Sequence, residues 1–212
     1  AESYQAIRGV DGLGLIERGV KELIGRLPIT FRTTVQRGNY REIPALLRLT
    51  RAWQATHHSF LAVDITTHAA FARQENFEQA LALTADDLAE FDGVLETVER
   101  EFASEFQSGY IAESPQKLRR LRQYFGALLG LAEFPAVRCN APRWSTVIET
   151  DGSLKPCYFL PSTGKLNSGS ILNTLNDATG IDLRRQQRLS QRAECSRCVC
   201  SAYKGTRAVI NL

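Results

Sequence analysis

None of the five cysteines of this chain comes before Cys139, and three of them fall between Cys195 and Cys200. The count is odd, and Ala1 to Arg8 holds no basic-then-apolar leader of the secretory kind. Both facts argue against a disulfide framework. In a cytosolic chain, cysteines clustered this way more often bind metal. The first two are separated by a patterned segment: Cys139, twelve residues, Gly152, four residues, Cys157. Ser145 to Thr150 and Ser153 to Tyr158 read as a hairpin on a tight Asp151-Gly152 turn, which returns Cys157 toward Cys139. The second group is Cys195-Ser196-Arg197-Cys198-Val199-Cys200, whose C-x-x-C turn sets two thiolates on one centre. Two distant pairs thus converge as a four-sulfur site, a geometry that suits tetrahedral zinc or a [4Fe–4S] cube.

The rest of the chain bounds what such a site is attached to. Its 212 residues, 43% hydrophobic and 23% charged, are enough for one sizeable core or for two small units sharing one. That composition rules out low-complexity disorder for the bulk of the chain. No apolar run approaches the roughly 20 residues that cross a bilayer, so no membrane span is expected. Lysine and arginine total 26 against 23 acids, and a net charge of +3 is too small to point to nucleic acid.

Apolar periodicity organises the chain ahead of the cysteines. Asp11 is expected to cap a helix running to about Arg26, with Leu13, Ile16, Val20, Leu23 and Leu27 on one face and Pro28 blocking its continuation. Ile29 to Val35, alternating and rich in β-branched residues, is expected as a strand. Gly38-Asn39 is a turn, and Asn39 a cap for a helix over Tyr40 to Ala55; His58 to Ile65 is a second strand. Helix and strand alternating at these lengths give the rhythm of βα units and a parallel sheet. Thr66 to Gln74 reads as loop. Ala85 to Phe106 reads as a helix with Leu88, Phe91, Leu95, Val98 and Phe102 at helical spacing. Ser114-Pro115 opens another helix that ends near Leu131. From Cys139 onward the chain is rich in Gly, Pro, Ser, Asn and Cys. There Phe159 to Asn173 reads as loop and Ile181 to Glu194 as a short basic helix. The boundary falls near Phe134-Pro135.

The stretch from Cys139 through Trp144, Asp151 and Gly152 to Cys157 resembles the opening of the SPASM and twitch domains of radical S-adenosylmethionine enzymes, and Cys195-x-x-Cys198 resembles their second half. Ile7-Arg8-Gly9 with Gly12, the strand Ile29 to Val35, Asn39 and the strand Ser59 to Asp64 are similar to the second half of that family's (β/α)6 partial barrel. The resemblance implies an α/β fold. Residues 1–134 would be the second half of the partial barrel with a helical linker. Residues 135–212 would be a small cysteine-rich α+β domain, a β-hairpin plus helix, of the SPASM/twitch kind. The family's C-x-x-x-C-x-x-C motif, which binds the cluster that cleaves S-adenosylmethionine, is absent from this sequence. The chain is therefore expected to be a fragment, inactive by itself, of a longer enzyme. Five cysteines hold one auxiliary cluster and not two, a twitch-like arrangement.

The same resemblance implies roles for particular residues. Cys139, Cys157, Cys195 and Cys198 would ligate the cluster, with Cys200 a substitute for Cys139. Arg184, Arg185, Arg188, Arg192 and Arg197 would offset its negative charge, or else form a solvated helix face. Arg32 and Thr34 would reach the ribose or carboxylate of S-adenosylmethionine, and Leu61 and Val63 would flank its adenine; the competing reading is packing inside the barrel. Only one parity of each strand points inward, so half of these four assignments are expected to fail. No other catalytic residue is assigned.

Elsewhere the bland reading prevails. His57 and His58 face opposite ways on one strand and are expected as edge or cap residues, as is His68. Asp64 is expected to cap a loop, Trp144 and Tyr158 to pack over the cluster, and Glu96, Glu99 and Glu101 to face solvent. Lys117, Arg119, Arg120 and Arg122 are expected as a solvated face. The functional expectation is part of a cytoplasmic radical S-adenosylmethionine oxidoreductase whose auxiliary [4Fe–4S] cluster transfers electrons or positions a peptide or small-molecule substrate. Its partners would be that substrate and an electron donor or acceptor protein. The alternative is a non-catalytic iron–sulfur or zinc module for binding or docking.

Overall fold

β-branched and aromatic residues dominate Thr30–Val35, which forms β1; His57–Ala62 forms β2, and the two pair in parallel. The computed structural model describes residues 2–67, 78–166, 170–189 and 191–205. The chain divides into two units, one of Ala1–Val63 with Glu78–Glu133 and one of Asp64–Phe77 with Phe134–Leu212. His68 and the rest of the expected loop to Gln74 lie outside the described residues. No helix among those described is long and apolar enough to cross a membrane.

In the first unit α1 spans Glu2–Arg8 and α2 Leu13–Leu23, and α3 (Ile43–Ala52) lies between β1 and β2. Then come α4 (Glu78–Leu81), α5 (Ala85–Glu101), α6 (Ala103–Gln107) and α7 (Pro115–Leu128). The expected caps need correction. Gly12, not Asp11, precedes α2, and it makes no side-chain cap. That helix ends at Leu23, short of Arg26, because the chain turns left-handed at Gly25 (φ 79°). Asn39 does not cap a helix either. Its Oδ1 accepts from the Gln36 N–H at 2.9 Å and its Nδ2 donates to the Thr34 carbonyl at 3.0 Å, so it fastens the exit of β1. A 3₁₀ turn over Tyr40–Glu42 follows, and the α-helix starts only at Ile43, with Pro44 in its first turn where no N–H is needed. The expected helix to Phe106 breaks at Phe102, where the backbone leaves helical geometry between α5 and α6.

The apolar positions of α5 were legible. Leu88, Phe91, Leu95, Val98 and Phe102 are all buried, against Tyr40, Ile43 and Leu47 from the α3 region and Leu118, Leu121, Tyr124 and Phe125 from α7. Thr84 closes a reciprocal cap with Asp87 at the head of α5, and Ser114 accepts from the Lys117 N–H at the head of α7. The charged faces are paired rather than simply solvated. Arg122 meets Asp92 at 3.1 Å through both carboxylate oxygens, Arg119 meets Glu99 at 2.7 Å, and Arg48 reaches Glu101 at 2.5 Å.

One edge of β2 is sealed by residues that showed no strand pattern in the sequence. His58 N–H donates to the Tyr110 carbonyl at 2.8 Å, and Ala112 N–H to the His58 carbonyl at 3.0 Å, in a parallel bridge. The next free amide, Phe60 N–H, is taken by the buried Glu113 carboxylate at 2.8 Å. His58 itself is a core residue, not an edge or cap. It is 1% exposed and stacks on Phe60 at 4.5 Å. Its Nδ1 meets the Thr50 hydroxyl at 2.9 Å and its Nε2 the Thr33 hydroxyl at 2.8 Å. Tyr110 completes the chain by donating to Thr50 at 2.8 Å.

The second unit is built on a three-stranded antiparallel sheet, β3 (Val147–Ile148), β4 (Ser153–Lys155) and β5 (Gly164–Lys165), with β4 central. The hairpin lies where the Asp-Gly pair placed it, but its turn is longer than a two-residue connection. Gly152 N–H donates to the Glu149 carbonyl and Glu149 N–H to the Ser153 carbonyl, each at 2.9 Å, so Thr150, Asp151 and Gly152 form the loop. Only Gly152 takes positive φ (80°), as in a type I turn closed by a glycine bulge. The expected loop over Phe159 to Asn173 contains β5 and the start of α8 (Ile171–Leu175). The basic helix lies earlier than expected, as α9 (Ala178–Arg188), because Asp177 caps it through the Gly180 N–H at 2.7 Å. α10 (Ala193–Ser196) follows. Leu154, Phe159, Leu160 and Leu183 form the small core of this unit.

Candidate metal centre

The hairpin, the turn after it and the C-terminal turn each present thiols. Cys139 precedes a 3₁₀ turn at Ala141–Arg143, Cys157 follows β4, and Cys195 ends in α10 with Cys198 and Cys200 just beyond. All five are half-buried, and none is joined in a disulfide among the described residues. They share one electrostatic environment. Burial pushes the Cys195 thiol up to about 11, with the charges of Cys157, Cys139 and Glu194 adding to the rise and Arg192 opposing it. Burial also raises Cys198, reinforced by Cys200, Cys139 and Cys157, and it raises Cys157, reinforced by Cys139 and Cys200. Cys157, Cys195 and Cys198 thus each feel the field of thiols from the other segment.

The backbone N–H groups of Phe159 and Leu160 oppose the rise at Cys157, and that of Cys200 opposes the rise at Cys198. Backbone N–H groups near sulfur stabilise its negative charge and tune the potential of an iron–sulfur cluster. Among the described residues, no group of three or more His, Cys, Asp or Glu is arranged to hold a metal ion. The thiols lie within reach of one another's charge without being closed on a single point. The donor set, soft thiolates, fits an iron–sulfur group.

Of the five arginines considered as counter-charge, three are engaged elsewhere in this unit. Arg184 donates to the Leu175 carbonyl at 2.6 Å, Arg197 lies over Phe134 at 5.4 Å, and Arg192 pairs with Glu194 at 2.6 Å. Arg185 and Arg188 are exposed on α9. Arg192 opposes the rise at Cys195. Tyr158 is 53% exposed and Trp144 is half-buried. Asp64 caps its loop as expected, accepting from the Thr66 N–H at 2.9 Å and the Thr67 N–H at 3.3 Å.

Two residues of this site escaped sequence reasoning. Gln187 is buried and donates Nε2 to the Cys139 carbonyl at 2.8 Å. Asn140 bonds across to the segment after Cys200. An uncharged amide inside a basic helix and an asparagine beside a cysteine carry no periodic or spacing signal. Their only mark was adjacency to the motif.

In the first unit, the register pairs Arg32 with Ser59 and Thr34 with Leu61. Paired residues of neighbouring strands project from the same side, so Arg32, Thr34 and Leu61 share one face, and Val63 is the next residue of that parity. The expectation that half of the four must fail on parity is therefore wrong, because i and i+2 always agree. This face is the more open one: Arg32 and Thr34 are exposed, Leu61 and Val63 half-buried. Arg32 Nε donates to the Ser59 hydroxyl at 3.0 Å. The other face carries Val35, His58, Phe60 and Ala62 into the core.

Residues 139–199 match the family model of SPASM, an iron–sulfur cluster-binding domain. The match takes in Cys139, Cys157, Cys195 and Cys198, with Cys200 just past its end, and it covers under a third of the chain. No curated protein and no solved structure matches the chain.

Proposed function

We propose that the second unit holds one auxiliary [4Fe–4S] cluster through four of its five cysteines, as part of a cytoplasmic radical S-adenosylmethionine enzyme. The observation that carries this reading is the match of residues 139–199, which hold Cys139, Cys157, Cys195 and Cys198, to the SPASM iron–sulfur cluster-binding domain. When bound, such a cluster supplies one-electron transfer or a hold on a peptide or small-molecule substrate, in exchange with an electron donor or acceptor protein. The chain's own residues position and insulate it. The Phe159, Leu160 and Cys200 amides stabilise thiolate charge, and Gln187 fixes the Cys139 backbone.

In the same reading the first unit is the second half of a partial (β/α)6 barrel. Three parallel segments side by side, β1, β2 and Tyr110–Ala112, support it. The open face of β1 and β2 is then the cofactor side. Arg32, oriented by Ser59, and Thr34 would meet the ribose or carboxylate of S-adenosylmethionine, while Leu61 and Val63 would flank the adenine. The C-x-x-x-C-x-x-C cluster lies outside these residues in this proposal. The test is anaerobic assay of the complete gene product for 5′-deoxyadenosine, and its absence under reducing conditions contradicts the enzyme reading. For the ligand set, Cys157→Ala is expected to lose the auxiliary iron and to lower the melting temperature of the second unit. Unchanged iron and unchanged melting would show that Cys157 is not a ligand.

A further inference from the structure

We infer that Asn140 is a positioning residue for the metal centre: its carboxamide latches the segment that follows Cys200 to the segment that follows Cys139, and so sets the separation of the two thiol groups. The inference rests on the cluster-binding reading above and adds to it a residue that is not a ligand.

Asn140 uses both ends of its side chain on one residue of the opposite segment. Oδ1 accepts from the Lys204 N–H at 2.9 Å, and Nδ2 donates to the Lys204 carbonyl at 2.7 Å. This two-point contact copies a strand pairing with a side chain in place of a peptide. Oδ1 also accepts from Trp144 Nε1 at 2.9 Å, and the Asn140 backbone N–H donates to the Ala202 carbonyl at 2.9 Å. The surrounding donors and acceptor fix which end is oxygen.

Two cation–ring contacts run alongside. Lys204 lies 4.2 Å over Trp144, and the Arg138 guanidinium lies 3.9 Å over Tyr203. The latch sits one residue from Cys139 and, at Ala202, two residues from Cys200. On the other side of Cys139, Gln187 holds its carbonyl from α9. Cys139 is thus fixed by neighbours that touch no sulfur, as outer-shell groups fix metal ligands elsewhere.

The test compares the full chain with Asn140→Ala and with Trp144→Phe, which removes one of the four hydrogen bonds and keeps the fold if the larger change does not. After anaerobic reconstitution with iron and sulfide, Asn140→Ala should lose iron to a chelator about 10- to 100-fold more readily. Its cluster should also show a shifted reduction potential, which a merely structural loop contact would leave in place. Trp144→Phe should fall between it and the wild type. In the metal-free protein, a short bifunctional thiol reagent should join Cys139 to Cys198 or Cys200 several-fold less in Asn140→Ala. If the wild type holds iron and Asn140→Ala retains it equally, at the same potential, the latch is refuted and the cluster reading stands. If the wild type takes up no iron, the cluster reading falls, and the crosslinking decides the latch: equal yields refute it, and a reduced yield upholds it as the device that gathers the thiols.

Discussion

His58 illustrates how much a single buried side chain settles. Its ring is 1% exposed, both nitrogens are bonded to threonine hydroxyls, and burial pushes its pKa down to about 4. In the unfolded chain the same imidazole titrates near 6.5. The depressed native value means that His58 costs nothing above pH 6.5, and that stability is lost as the pH falls from there toward 4. At pH 5 the loss is about 2 kcal/mol relative to pH 7. Urea unfolding at the two pH values measures it, and His58→Gln should flatten the slope; an unchanged slope in the variant would assign the effect to other groups. None of this was legible in the sequence, where a histidine pair on a strand looks the same at an edge as in a core. The partners Thr33, Thr50 and Tyr110 come from three separate segments. The cysteines were legible for the opposite reason, since their spacing is itself the geometric requirement.

Among the elements, the two parallel strands and α5 were legible because periodicity and β-branching act within a few residues. Element ends were less so, since they depend on backbone bonds that sequence pattern does not display. The end of α3 shows this. Ala55 N–H bonds back to the Thr50 carbonyl at 3.0 Å and Gln54 N–H to the Arg51 carbonyl at 2.9 Å, a Schellman closure with Gln54 at its left-handed position (φ 57°). The end of α7 closes the same way, through Gly130 at φ 72°. A glutamine pays a steric penalty there that glycine does not, so Gln54→Gly should stabilise the first unit by about 1 kcal/mol. Thermal or urea unfolding tests this, and a destabilised variant would mean that the Gln54 side chain makes a contact worth more than the strain. The paired faces of α5 and α7 were read as solvated for a related reason: Arg119 and its partner Glu99 lie on different helices, and helical periodicity within one element does not reveal such pairs.

For the whole molecule, the chemistry divides as the chain does. The first unit offers an open strand face bearing Arg32, Thr34, Leu61 and Val63, and the second offers thiols gathered by a hairpin, a C-terminal turn and the Asn140 latch. A site of this kind is legible when its ligands are chemically rare and their spacing is stereotyped, and illegible where common residues such as Asn140 and Gln187 do the holding. The most direct measurement is the iron, acid-labile sulfide and zinc content of protein purified and handled without oxygen. The prediction is about four iron and four sulfide per second unit, with absorption at about 400 nm and no zinc. One zinc per chain, with no iron retained after reconstitution, would contradict the cluster and leave the five thiols as a structural metal site.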